Sequence, residues 1–503
     1  MRLCTILLTL VLLGPVSVIS QVNNDSKRDY QWISGFPHYN FSNCRIFDFN
    51  IAPMATYSHP NTINLGKTVT NICDTNGELL FFTNGLQICD KNGMLMPNGD
   101  SLSPGLYANS NMGLTDGLNC PQGAIILPMP YYGSKYVIFH ELSAGSSNTA
   151  IGLLYSIVDM SQMNGLGDVI SKNNLLISDT LSSGGLTAVR HSNNRDWWLL
   201  VPQVNHASFY RILVNPEGVW LDGEQEIGEV HLNGDYNVRF SPDGTKYAYV
   251  SYCPDLLISL PVIHISELFN FDRSSGLLSD PKEFSFYDTN THVYHIAFSP
   301  NSNLLYASLG KRIYQWDTES MDMDSSMTIV GEWDGSTWGW APTYFNYCQL
   351  APDNKIYFNS APAANYLHVI DKPDIPGIGC NVIQRYIHFS NDKPITGMPN
   401  FPDFRLGSVT AIPELEELKE NLNFSPNPAS DFIQFQVIGK ISHNVTLDVE
   451  IIDNLGRQLA KINSIQIDES YRVCTSSYPP GLYIARIVSN NKTLLSKKFL
   501  VIH

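Results

Sequence analysis

The sequence predicts an all-β chain: a β-propeller, read as seven-bladed, followed by a small C-terminal β-sandwich. Three observations carry this. Gly at 35, Pro at 29, Tyr at 25 and Phe at 23 in 503 residues is a turn-rich strand composition. A strand-turn-strand unit recurs every 50 to 60 residues through the middle of the chain. The tail alternates apolar and polar positions in short runs.

Taken in order, residues 1–20 read as a cleavable secretory signal. Arg2 precedes an apolar run from Leu3 to Leu13, a Gly14-Pro15 break and the small residue Ser20. That run is too short for a permanent span, and no later stretch has about 18 uninterrupted apolar residues, so no integral membrane segment is expected in the mature chain. A formal charge of -16 argues against nucleic acid and anionic lipid as partners.

Residues 21–407 form the propeller in this reading. Its clearest repeats turn at Ser241-Pro242-Asp243-Gly244, Ser299-Pro300-Asn301-Ser302 and Ala351-Pro352-Asp353-Asn354. Weaker copies turn at residues 74–77, 130–133 and 191–194. Proline sets φ at the second turn position and the following Asp, Asn or Gly tolerates the reversal, so each copy reads as a hairpin. Further strands are expected at residues 136–140, 197–202, 209–214, 312–317 and 367–371. Stacking six or more small sheets radially buries both faces of each. Residues 45–51 and 382–388 are expected to join as the closing seventh blade, with six or eight blades as alternatives.

This region resembles a family of secreted β-propeller proteins in Bacteroidota. The resemblance is carried by residues 74–85, with Met96-Pro97-Asn98-Gly99, residues 152–160 with 165–168, and Leu186 to His191. The three strong turns, residues 368–373 before Gly379-Cys380, and residues 399–407 complete it. It implies the fold and brings no functional residue with it.

Residues 408–420, with Pro413, Glu414, Glu416, Glu417 and Glu420, read as a linker. Residues 421–503 follow as the sandwich, with strands expected at 433–437, 445–452, 458–465, 483–488 and 497–502. Here Pro426, Asn427 and Pro428, then Asp453 to Gly456, Gly481 and Tyr483, and the terminal Lys497 and Lys498 resemble the type A C-terminal sorting domain of the type IX secretion system. That resemblance implies the secretion machinery as a partner, passage through the outer membrane, removal of the domain by a sortase-like protease, and surface attachment or release. The segment has eight basic and six acidic residues. Its lysines either guard an edge strand or help the machinery recognise the module.

Eight cysteines remain after residue 20, widely scattered and without a CxxC pair, which removes the usual basis for structural zinc or thioredoxin-like chemistry. Buried thiols with one or two bridges are expected, and a Cys73–Cys89 bridge is not. Gly66-Lys67-Thr68 lacks the first glycine of a phosphate loop. His140-Glu141 lacks the second histidine of a zinc-protease helix, and no Gly-x-Ser-x-Gly elbow occurs. No catalytic residue, metal or cofactor is therefore assigned.

One binding surface can be named. Trp333, Trp338, Trp340 and Tyr344 concentrate aromatic rings in a glycine-containing segment. They offer stacking faces to a glycan or protein ligand, or else wedge adjacent blades apart. The resulting expectation is a binding or adhesion protein recognising its ligand on one propeller face or in the central channel. A polysaccharide hydrolase or lyase and a non-catalytic part of a surface or gliding complex are the alternatives.

Overall fold

The computed structural model describes residues 25–502 except 36–42, 112–116, 145–148, 231–234, 253–261, 285–286, 289–294, 361–364, 390–394, 407–421, 438–446, 454–456, 466–468 and 490–491. The expected signal and linker, together with Cys253, lie outside the described residues. The chain divides into two compact units, residues 1–407 and 408–503.

The first unit holds seven antiparallel meanders among the described residues, plus a short ribbon. The first is Gln31–Ser34, Asn43–Asp48 and Ala55–Pro60, and the second Thr70–Cys73, Leu79–Thr83 and Ile88–Asp90. The third runs Ala124–Pro128, Lys135–Ser143, Thr149–Asp159 and Asp168–Ile177. The fourth is Thr187–Arg190, Trp197–Pro202, Ser208–Asn215 and Gly218–Glu226. The fifth has Asp235–Phe240, Lys246–Tyr252, Val262–Asp272 and Leu277–Phe284. The sixth has His295–Phe298, Leu304–Leu309, Arg312–Asp317 and Thr328–Glu332, and the seventh Phe345–Leu350, Ile356–Ser360, Tyr366–Ile370 and Val382–His388.

In the fourth and sixth sheets burial falls from the first strand to the last. Thr187–Arg190 is wholly buried, whereas Gly218–Glu226 in the same sheet has no buried residue. The same gradient separates His295–Phe298 from Thr328–Glu332. First strands also neighbour one another: Gln31–Ser34 lies beside Thr70–Cys73, and Asp235–Phe240 beside both Thr187–Arg190 and His295–Phe298. Inner strands facing a common axis, with outer strands in solvent, are the geometry of a β-propeller.

The turns work as their residues predict. Gly244, Ser302 and Asn354 all have positive φ and donate their N–H back to Ser241, Ser299 and Ala351 at 2.8, 2.9 and 3.0 Å. Gly244 alone among them is crowded: a Cβ there would come within 2.7 Å of Arg273 and Leu406. Glycine is needed at that turn for packing as well as for φ.

Ring closure differs from the expected terminal pairing. Asn43–Asp48 sits between two strands of its own sheet, and Val382–His388 is the outer strand of the seventh. They do not share a blade. Instead the segment 395–406 crosses among the inner strands. Thr396 N donates to Gly35 O at 2.9 Å, Ser34 Oγ to Gly397 O at 2.6 Å, and Asn400 N to Val69 O at 3.0 Å. Asn359 Nδ2 donates to Thr396 O at 2.6 Å from the opposite side. Phe401 and Phe404 are buried with Trp32 and Trp197 in the main core. Backbone groups at the open centre of a ring need partners, and this segment supplies them.

The second unit is two antiparallel sheets. Leu422–Ser425, Phe432–Val437 and Ser470–Cys474 form one, and Gln458–Ile465, Leu447–Ile452, Gly481–Ser489 and Lys492–Val501, in that spatial order, the other. Ile433, Phe435, Val449, Ile451, Tyr483, Ile487 and Phe499 share its core. The strands Leu422–Ser425 and Ser470–Cys474 are absent from the sequence reading. The second exposes most of its positions and buries only Val473, so alternation gives little signal there.

Cys73, Cys89, Cys120, Cys348, Cys380 and Cys474 are free thiols, so the expected one or two bridges do not occur among them. Cys73 and Cys89 stand on either side of the strand Leu79–Thr83. Among the described residues no helix is long and apolar enough to cross a membrane.

Candidate functional site

The four aromatic residues named from sequence separate into two layers. Trp333 follows the sixth sheet directly, packs edge-on to Tyr344 at 4.8 Å, and donates Nε1–H to Ser336 O at 3.0 Å. Trp333 packs against the core cluster shared by the sixth and seventh sheets. Trp338 and Trp340 lie on the ribbon Thr337–Trp338 and Ala341–Pro342, which turns at Gly339 with φ +59°. Trp340 is 88% exposed and Trp338 39% exposed.

Trp338 is held from behind. Tyr366 meets it edge-on at 5.6 Å and His388 lies 5.4 Å away, while Tyr366 and His388 stack on each other at 4.7 Å. Nearby, Arg385 grips Asp334 with both guanidinium nitrogens, at 2.9 and 2.5 Å. These hydrogen bonds hold the Asp334 carboxyl well below the ordinary range, so it stays ionised. His368 underpins Arg385: its Nδ1 accepts the Arg385 backbone N–H at 3.1 Å, and burial pushes its pKa down to about 3. The arrangement is an anchored aromatic face beside a fixed charged pair, suited to stacking and edge hydrogen bonding. Tyr366, His388 and Arg385 escape a sequence reading because they come from another sheet.

Residues 395–406 lie among the inner strands, where the sequence reading expects a central channel. Asn400 Nδ2 donates to Ala124 O at 3.0 Å and Leu186 O at 2.9 Å. Where this segment ends, Arg405 pairs with Asp29 at 2.7 Å and with Asp403 at 3.5 Å. Both carboxylates are thereby committed to a cation.

A buried Ser103–His140 contact also fails as a catalytic pair. Ser103 Oγ donates to Glu141 O at 2.7 Å and lies 2.8 Å from His140 Nδ1, which must then be the donor to it. Burial lowers His140 to about 3, so it is a neutral structural group rather than a base. Its neighbour Glu141 is pushed up to about 7 by burial, against hydrogen bonds from Gly184 N at 2.9 Å and Ser183 Oγ at 3.2 Å. No cluster of three or more metal-ligating side chains occurs among the described residues.

In the second unit the sequence motif holds the chain end. Asn427 Oδ1 accepts the Leu500 N–H at 3.0 Å, and Ala429 N donates to Leu500 O at 2.7 Å. Pro426 and Pro428 flank that contact, both after cis bonds. Gly481 opens the strand whose Tyr483 donates to Pro479 O at 2.6 Å and stacks on Phe499 at 5.8 Å. Lys497 and Lys498 are exposed on the outermost strand of the larger sheet.

Fold and motif together define an exported protein class: a β-propeller unit followed by a sandwich that acts as a delivery module. Residues 423–502 match the secretion system C-terminal sorting domain family. This domain directs export by the type IX system, to the extracellular space or the cell surface, and implies contact with that machinery. No curated protein matches the chain. Solved structures similar to it include a functionally unknown protein from Desulfotomaculum acetoxidans, at 10% identity over 74% of this chain and 99% of that one, with a TM-score of 0.41. A candidate 6-phosphogluconolactonase from Bacteroides fragilis has 12% identity over 75% and 98%, with a TM-score of 0.41. Another from Bacteroides uniformis has 10% identity over 89% and 100%, with a TM-score of 0.35.

Proposed function

We propose that this exported protein is a glycan-binding module whose contact surface is the Trp338–Trp340 ribbon. The observation that carries the reading is Trp340, 88% exposed on a short ribbon beside the anchored Trp338. An indole so far out of the core contributes little to folding. Its flat face suits the C–H face of a sugar ring, and the Asp334–Arg385 pair supplies charged groups for hydroxyls at the ring's edge. Delivery follows the two ends of the chain: residues 1–20 are cleaved, and the C-terminal module from 421 onward is removed once residues 21–407 are outside.

The test is a glycan array probed with the mature protein and with a Trp338→Ala/Trp340→Ala variant, coupled to an assay for released sugars. Binding that disappears in the variant supports the reading. Retained binding overturns the assignment of the ribbon, and released sugar would favour a hydrolase or lyase instead.

A further inference from the structure

Among the described residues no carboxylate pairs with the guanidinium of Arg239. This arginine lies on the inner strand Asp235–Phe240, 7% exposed. Its guanidinium donates to neutral oxygens: Nη2 to Gln349 Oε1 at 2.7 Å, and Nη1 to Asn400 Oδ1 at 3.3 Å and Phe401 O at 3.4 Å. Three arginines of the unit have a carboxylate partner instead. Arg28 and Arg190 share Asp25, and Arg405 holds Asp29. Burying a cation without a counter-charge is strongly unfavourable, and a neutral amide such as Gln349 accepts a hydrogen bond without cancelling the charge. Burial holds the Arg239 pKa down to about 10, in keeping with a charge under strain.

The same residue borders empty space. A recess of about 40 Å³ lies among Arg239, Phe240, Phe298, Gln349, Phe401 and Asp403. That is room for about three water-sized bodies. Through Pro242, Leu350, Asp403 and Arg405 it adjoins a wider basin of about 300 Å³ on the side of the turns that hold Asp243, Pro300 and Asn354. Asp403 faces the recess too, but its Oδ1 accepts the Arg405 N–H at 2.8 Å and its carboxylate pairs with Arg405, which draws its charge away from Arg239.

We propose that the recess is a binding site for a small, singly charged anion held against Arg239, such as a halide or a compact carboxylate. Recess size excludes bulky anions, and the Asp403 carboxylate disfavours doubly charged ones. The anion completes the contact between the closing segment 395–406 and the inner strands of the fifth and seventh sheets. It therefore stabilises the ring through binding to the folded state alone. This is independent of the aromatic ribbon.

The test uses the full mature chain at constant ionic strength, comparing sodium chloride, bromide and formate with sodium gluconate and sulfate. A saturable rise in unfolding midpoint with the three small anions, absent with gluconate and sulfate, is expected. Arg239→Gln should abolish that difference, and Trp340→Ala should retain it. Crystals grown in bromide should show an anomalous peak at hydrogen-bonding distance from Arg239. A response to halides without formate narrows the ligand to halide, and a response to all three admits carboxylates. Equal midpoints in chloride and gluconate overturn the proposal, as does bromide found only elsewhere. If Arg239→Gln fails to fold, the wild-type salt comparison and the bromide crystal still decide.

Discussion

The side-chain nitrogen of Asn400 lies 2.9 Å from the backbone oxygen of Leu186, a residue 214 positions earlier. The same nitrogen reaches Ala124 O at the head of the third sheet, and the amide oxygen accepts from Arg239 of the fifth. One buried amide thus bridges three sheets at the middle of the ring. Asn400→Ala leaves two carbonyls and one guanidinium nitrogen without these partners. At about 1 to 3 kcal/mol for each stranded buried group, partly recovered by water, a loss of about 3 kcal/mol is expected in urea unfolding. A loss below about 1 kcal/mol would mean that the segment merely fills space.

That bridge also marks the boundary of what the sequence makes legible. Turns such as Ser241 to Gly244 depend on local φ preferences, so their residues announce them. The inner strands depend on burial, which composition announces. Asn400 depends on carbonyls of sheets hundreds of residues away, and no local period accompanies Met398 to Phe404. The aromatic surface divides in the same way. Trp338 and Trp340 are visible as aromatic residues, but the Tyr366 and His388 rings behind Trp338 arrive through sheet packing. The expected joining of residues 45–51 with 382–388 fails because each strand already has a complete local meander to enter.

Acidity acts on the propeller unit through two opposed groups of residues. Burial raises Glu141 to about 7, so the folded state keeps a proton that the unfolded state releases above roughly 4.3. Its contribution is full below that pH and is lost as pH rises through 7. His140 and His368 are lowered to about 3, so the unfolded state takes up protons first. Their contribution is full above roughly 6.5 and is lost as pH falls towards 3. Glu141→Gln isolates the first effect. Between pH 5 and pH 8 the stability of the variant should gain on the wild type by about 2 kcal/mol. Parallel pH profiles in chemical denaturation would show that Glu141 does not titrate in this range.

The two aromatic layers should respond differently to truncation. Trp333 packs on Tyr344 and against the core between two sheets, so Trp333→Ala should cost about 2 to 4 kcal/mol. Trp340→Ala, at a solvent-exposed position, should change stability by less than about 0.5 kcal/mol. In binding the order reverses: Trp340→Ala should weaken glycan affinity about tenfold or more. Thermal unfolding and glycan titration on the same two variants separate wedge from contact surface, and equal stability losses would erase the distinction.

The sorting module offers a parallel contrast between what builds it and what coats it. Tyr483 is buried, stacked on Phe499 and bonded to Pro479 O, so Tyr483→Ala should destabilise the module by about 3 kcal/mol and lower the amount of protein exported. Asn427→Ala removes one acceptor for Leu500 N at an exposed site, where water substitutes, and should cost about 1 kcal/mol. Lys497 and Lys498 occupy the outermost strand, where positive charge discourages a second sheet from adding on. Lys497→Gln with Lys498→Gln should therefore leave module stability and export near wild type while increasing self-association in light scattering. An export defect without a stability change would instead place these lysines in the contact with the secretion machinery, because a lost edge charge alone has no reason to block passage of a folded module.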